Sequence, residues 1–238
     1  MAVVLAAGVV RGYAGFGFSA LCVASLSFVM PMSSLVPIVL LLEVSASVLL
    51  VPSVWREVHM KFVLGLTASS IIAAPLGIAI LQLVPAVVVR TFVLLIILMA
   101  NVLLIRGFSL AGSQPIWRIA VVGFCAGAVN AAGAVGGLIY SLFLIADGLP
   151  RAQFRASLVV IFLLVDLLSA GLMTKSGLLN STNVQWLFPL IPPMAVGVWF
   201  GSRLFGNSSA DSFRRVVIAL LIVLSTSGLV IAGIEALA

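Results

Sequence analysis

Eight long apolar runs dominate this sequence, at about residues 2–29, 33–54, 62–83, 88–105, 117–146, 152–174, 184–205 and 215–234, with short connectors between them. A bilayer core about 30 Å thick takes about 20 apolar helical residues to cross. A chain built of such runs has no polar face to turn to water. Charged residues make up 8% of the 238 positions, whereas soluble domains average about 25%. A transmembrane β-barrel would need short segments of alternating polarity, and these runs are continuous. The expected fold class is therefore all-α: a polytopic helical membrane protein. Trp55, Trp117 and Trp186 fall at run ends, where interfacial tryptophans belong.

The first and fifth runs are too long. Each is nearly 30 residues and is interrupted by glycine near its middle. One continuous helix would overshoot the bilayer, and two full spans would not fit. A broken-helix hairpin that enters and leaves on one side does fit. The basic residues favour this reading. If all eight runs cross, the loop Lys and Arg residues divide 5 to 6 between the two sides. If the first and fifth runs are hairpins, they divide 9 to 2. Only the second split has the asymmetry of the positive-inside rule. It puts the 9-charge side in the cytoplasm and both termini outside it. The net charge of +6 thus reports topology. The basic residues form no patch for nucleic acid.

The chain also repeats. At a spacing of 119, Arg11 aligns with Asn130, Gly8 with Gly127, Gly17 with Gly136 and Pro31 with Pro150. After a five-residue insertion the spacing becomes 124, aligning Gly77 with Gly201 and Arg90 with Arg214. A hairpin plus three spans makes three crossings, so the second copy starts on the opposite side from the first. The expected organisation is two inverted repeats, at 1–106 and 117–238, joined by a loop at 107–116. That makes about ten helical pieces.

Polar residues inside such a bundle point to function. A charge in the bilayer core costs about 2.5–3.5 kcal/mol on insertion scales, and such residues face cavities, ligands or partners. Glycine-interrupted helices at matching places in two halves point to a midplane site. Turns are expected near Gly12–Gly15 and Ala131–Gly133, with return half-helices starting around Phe16 and Ala134. The free N–H groups and dipoles at their N-termini suit an anion. The candidate substrate-binding residues are Arg11, Gly12, Tyr13, Gly15, Phe16, Gly17, Asn130, Ala131, Gly133, Ala134 and Gly136. Arg11 offers a charged fork, Asn130 neutral hydrogen bonds, and the aromatic residues a surface for an organic group. The other reading is close helix packing at the glycines and neutralisation of Arg11 by a carboxylate.

Glu43 and Asp166 lie near the centres of the second and sixth runs. Either they carry protons during transport or they form a structural ion pair with an arginine. Cys22 and Cys125 read as small packing residues, and His59 as a solvated loop residue with no second histidine for a metal. Pro75, Pro189, Pro192 and Pro193 are expected to interrupt or kink helices, and Arg90 and Arg214 to anchor helix ends. Ser45, Ser47, Asn101 and Ser169 read as interhelical glue. Met1 is followed by apolar residues with no basic segment, unlike a cleaved signal peptide. No G-x-S-x-G or H-E-x-x-H is present, so an enzyme is not expected, nor is a cofactor.

The two glycine-rich stretches, Gly8 to Phe18 and Gly123 to Gly137, are each followed by a small-residue helix and a proline. With the repeated segments Gly77 to Leu95 and Gly201 to Ala219, they resemble the TauE/SafE sulfite exporter family, also called the toluene-sulfonate uptake permeases. The resemblance covers essentially the whole chain. It implies a permease of the bacterial inner membrane whose partner is a small sulfur-containing anion, sulfite or an organosulfonate, moved by alternating access. The aromatic first copy, with Tyr13, Phe16 and Phe18, would suit a larger organosulfonate. The alternatives are an uncoupled anion channel, a carrier for another small anion, and an intramembrane enzyme or assembly factor.

Overall fold

The computed structural model describes residues 1–27, 29–105, 114–206 and 219. Among them every regular element is helical: α1 (Ala2–Ala14), α2 (Phe18–Leu26), α3 (Met32–Val54), α4 (Met60–Leu83), α5 (Ala86–Ile105), α6 (Ile116–Gly133), α7 (Gly136–Ala146), α8 (Arg151–Lys175), α9 (Ser181–Gln185) and α10 (Leu187–Gly206). Five helical stretches among the described residues are long and apolar enough to cross a membrane: Met32–Glu57, Met60–Leu83, Ile116–Gly133, Arg151–Lys175 and Asn183–Gly206. The chain is a polytopic helical membrane protein. The eighth run, 215–234, and Arg214 lie outside the described residues apart from Ala219.

The first and fifth runs are both broken, at matching positions. α1 ends where Gly15 takes φ 81°, and α6 ends where Ala134 takes φ 57°. Gly15 N–H donates to the Arg11 carbonyl at 2.8 Å, and Ala134 N–H to the Asn130 carbonyl at 2.7 Å. The chain then folds back. A Cβ on Gly136 would lie 2.3 Å from the Ala126 carbonyl oxygen, although ten residues of straight helix would separate them by about 15 Å. The turns come slightly later than expected. The return helices start at Phe18 and Gly136 rather than at Phe16 and Ala134, because the helix runs on until a residue adopts the left-handed conformation that ends it.

Contacts between loops show which helix ends lie together. The His59 N–H donates to Ser157 Oγ at 3.0 Å, and Lys61 Nζ to the Gln114 carbonyl at 3.1 Å. The α3–α4 connector therefore shares one end of the bundle, the Trp55 end, with the starts of α6 and α8. Gln82 Nε2 donates to the Ser176 carbonyl at 3.0 Å, so the end of α4 meets the end of α8 at the opposite, Gln82 end.

Glycine seams join the two halves. α1 runs alongside α10: a Cβ on Gly201 would lie 2.1 Å from the Val9 carbonyl oxygen, and one on Gly12 2.2 Å from that of Val198. α4 runs alongside α6: a Cβ on Gly77 would lie 2.2 Å from the Ala128 carbonyl oxygen, and one on Gly127 2.4 Å from Ser70 Cα. Small residues let membrane helices approach closely enough for backbone packing. Each seam pairs a hairpin arm of one half with a span of the other. α3 and α8 pack together and carry the two buried carboxylates, Glu43 and Asp166.

Several local expectations need correction. α4 continues through Pro75, and α10 through Pro192 and Pro193, so these prolines do not interrupt their helices; neighbouring helices and local adjustment accommodate proline in membrane spans. Cys22 is buried, but Cys125 is exposed on α6. His59 is half-buried and stacks on Phe62 with ring centroids 4.7 Å apart, because its ring lies against an apolar neighbour where the connector folds onto the bundle.

Candidate functional site

The polar centre is built from α1, α3, α6 and α8. Arg11 sits one turn before the end of α1 and is fully buried. Its Nη1 donates to the Gly15 carbonyl, and its Nη2 to Ser47 Oγ on α3 at 2.7 Å. Its guanidinium carbon lies 4.2 Å from the centre of the Phe162 ring on α8, a cation–π distance. In the other half Asn130 is fully buried on α6, and its Nδ2 donates to Asp166 Oδ1 on α8 at 2.7 Å. The register of 119 that aligns Arg11 with Asn130 also aligns Ser47 with Asp166.

Glu43 and Asp166 are both fully buried. Glu43 interacts electrostatically with Arg11 and approaches Asp166 and Ser19, yet neither of its oxygens closes a hydrogen bond among the described residues. Arg11 Nε, Asn130 Oδ1 and Asp166 Oδ2 also lack hydrogen-bond partners there. Four charged or amide side chains thus meet in an apolar surround with hydrogen-bonding capacity to spare. Ser19 stands in the first turn of α2, where the first N–H groups have no intrahelical acceptor. Beside this cluster Tyr140, fully buried, shares a 2.7 Å hydrogen bond with Ser70, and its ring meets that of Phe162 edge-on, 6.1 Å between centroids.

All the candidate residues read from the sequence are buried, but they serve different neighbours. Arg11, Asn130, Glu43 and Asp166 converge. Gly15 accepts from Arg11 and forms the first turn with Gly17, which takes φ 90°. Ala134 forms the second turn, and Gly136 packs back on α6. Gly12 lies in the α1–α10 seam, and Ala131 lies against Gly77 of α4. Gly133 faces Val93 of α5, where a Cβ would lie 2.3 Å from its Cγ2. Tyr13 packs edge-on against Phe205, 6.4 Å between centroids, and Phe16 against Phe154 at 5.9 Å. For Gly12, Ala131 and Gly133 the close-packing alternative therefore describes the contacts.

The turns do not meet tip to tip at mid-depth. Gly15 lies against Arg155, one turn inside α8 from the Trp55 end, so α1 reaches past the middle of the bundle. Arg11 returns toward the centre through its long side chain. Ser19, Phe162 and Arg155 fall outside the site expected from the sequence, in which Ser47 reads only as glue. The register match of Ser47 with Asp166 is the signal that singles it out. The described residues contain no cluster of ligands suited to a metal ion.

Compared with known proteins, residues 1–227 match the family model described as Sulfite exporter TauE/SafE. No curated protein and no solved structure matches the chain.

Proposed function

The chain belongs to the TauE/SafE sulfite exporter family of membrane transporters, and on that premise we propose that it carries sulfite or an organosulfonate across the bacterial inner membrane by alternating access. In this reading the chain comprises two inverted repeats, 1–106 and 117–238, with the Trp55 end in the cytoplasm. The observation that carries the site assignment is the fully buried Arg11, held by Ser47 and by the Gly15 carbonyl at a broken helix. A buried guanidinium whose hydrogen-bond acceptors are neutral is suited to a tetrahedral or pyramidal sulfur oxyanion. Asn130 supplies neutral donors at the matching place in the other half.

Charge balance supports proton coupling. Arg11 with both Glu43 and Asp166 ionised carries one excess negative charge, and one proton on the carboxylate pair neutralises the cluster. Adding a monovalent anion restores the excess unless a second proton arrives. Uncompensated buried charge is costly, so anion and proton are expected to bind together. Glu43, close to Ser19 at the start of α2, would hold the helix end until the substrate displaces it.

Binding to the purified protein tests the site. Sulfite, a small alkyl sulfonate and an aromatic sulfonate are titrated against the parent, Arg11→Ala and Asn130→Ala. The expected result is loss of about tenfold or more in affinity with Arg11→Ala, the scale of one charge-assisted hydrogen bond, and a smaller loss with Asn130→Ala. Unchanged affinity in both variants would place the anion elsewhere.

A further inference from the structure

Arg155 lies one turn into α8 and is 5% exposed. Its Nε and Nη2 both donate to the Gly12 carbonyl, at 3.0 and 2.7 Å, and its Nη2 also donates to Ser202 Oγ on α10 at 3.0 Å. Its guanidinium lies 4.6 Å from the centre of the Phe205 ring, against which Tyr13 packs. A Cβ on Gly15 would lie 3.0 Å from Arg155 Cγ, while the carbonyl of Gly15 receives Arg11. The two arginines hold the same turn, and one guanidinium ties α8, α10 and the first hairpin together at the Trp55 end.

Capping explains part of this. Gly12 is in the last turn of α1, where carbonyls lack intrahelical donors and cations are favoured. The second hairpin does without the arginine. In the repeat register Gly12 corresponds to Ala131, Arg155 to Val36 and Ser202 to Ile78, and all three counterparts are buried. One seam is closed by apolar side chains and the other by a buried cation whose acceptors, among the described residues, are both neutral. Burying a charge without a counter-ion is costly, and nothing in the matching seam requires it.

We infer that Arg155 is a gate latch: it closes the route from the Trp55 end to Arg11, and an arriving oxyanion opens it by replacing the Gly12 carbonyl as the guanidinium's acceptor. The inference rests on the transport reading above and adds to it a residue that selects for charge. An oxyanion offers two acceptor oxygens to the guanidinium fork, whereas a carbonyl offers one. A neutral solute offers the guanidinium no stronger acceptor than the Gly12 carbonyl it would replace. Once Gly12 is released, the hairpin turn is free to part from α10, and the anion passes from Arg155 toward Arg11.

Ala14 is 1% exposed and adjoins the Gly15 turn, so it serves as reporter. The full-length protein, with Ala14→Cys in a Cys22→Ala, Cys125→Ala background, is reconstituted in proteoliposomes and labelled from the Trp55 end with a membrane-impermeant maleimide. Without substrate, Arg155→Met is expected to speed labelling about tenfold or more, the scale of losing a charge-assisted hydrogen bond. Arg155→Lys, charged but unforked, should fall between. Sulfite or an alkyl sulfonate should speed labelling of the Arg155 protein and not of Arg155→Met. Ser202→Ala, which keeps the guanidinium, should give a smaller increase and serves if Arg155→Met does not fold. Equal labelling across these variants would overturn the latch and leave the sulfur-anion reading standing. Faster labelling in Arg155→Met with no effect of either anion on its parent would overturn opening by ligand exchange. Separate failure of anion flux, with the labelling pattern as expected, would remove the sulfur assignment and not the latch.

Discussion

Asn130 donates to Asp166 at 2.7 Å across the interior, and this pair is the repeat-related copy of Arg11 donating to Ser47 at the same distance. In one pair the charge is on the hairpin, and in the other it is on the span. Each hydrogen bond joins a broken helix to the helix that follows its hairpin. A double-mutant cycle with Arg11→Met and Ser47→Ala should give a coupling of about 1–2 kcal/mol in thermal stability, because a charged donor loses its buried acceptor. Additive effects would mean that the two side chains do not meet in the folded protein.

The two turns predict opposite responses to exchanging glycine and alanine. Ala134 is the one non-glycine residue with positive φ among those described. An L side chain there costs about 1–2 kcal/mol, roughly offset by the backbone freedom glycine loses on folding. Ala134→Gly is therefore expected to be neutral or stabilising by up to about 1 kcal/mol. Gly15→Ala meets both the positive φ and Arg155 at 3.0–3.2 Å and should lower the melting temperature. A melting temperature that falls equally in both variants would contradict this description of the turns.

Glycine packing should be equally position-specific. Gly77→Ala and Gly201→Ala push a methyl group to 2.2 and 2.1 Å from backbone oxygens of the facing helix. Overpacking of this kind costs about 1–3 kcal/mol or more. Gly171, in α8, has nothing within 4 Å of its Cβ position, so Gly171→Ala should be tolerated and can gain about 0.5–1 kcal/mol from helix propensity. Thermal unfolding of the three variants checks the order.

Glu43 gives the pH prediction. Replacing it with glutamine preserves its size and removes a proton-binding group. Glu43→Gln is expected to retain anion exchange at equal pH on both sides but to show weaker acceleration by an imposed pH gradient, because Asp166 is then the one carboxylate of the cluster that can take a proton. Asp166→Asn should weaken that acceleration too. Undiminished acceleration in both variants would remove the carboxylates from coupling.

Much of the architecture is legible because bilayer chemistry acts on whole segments. Run length and glycine interruption identify the two broken helices. The exact turns are less legible: alanine is a good helix former elsewhere, and only the 119-residue register with Gly15 marks Ala134 as left-handed. Arg11, Asn130, Glu43 and Asp166 stand out as polar residues in apolar runs, and they do converge. Arg155 looks like one more basic residue at a helix start; only the packing of α8 against Gly12 and α10 gives it a partner. Gly12 and Gly133 face α10 and Val93, contacts the sequence does not distinguish, because a glycine that permits a turn and one that permits close packing look alike in a linear chain.

Flux measured in proteoliposomes tests the central claim most directly. Purified protein is offered sulfite, a small alkyl sulfonate and an aromatic sulfonate, with and without a pH gradient, beside Arg11→Ala. Protein-dependent flux of at least one of these anions, driven by the gradient and lost in Arg11→Ala, is the predicted result. Absence of flux for every sulfur anion under both conditions, or full flux in Arg11→Ala, would contradict it.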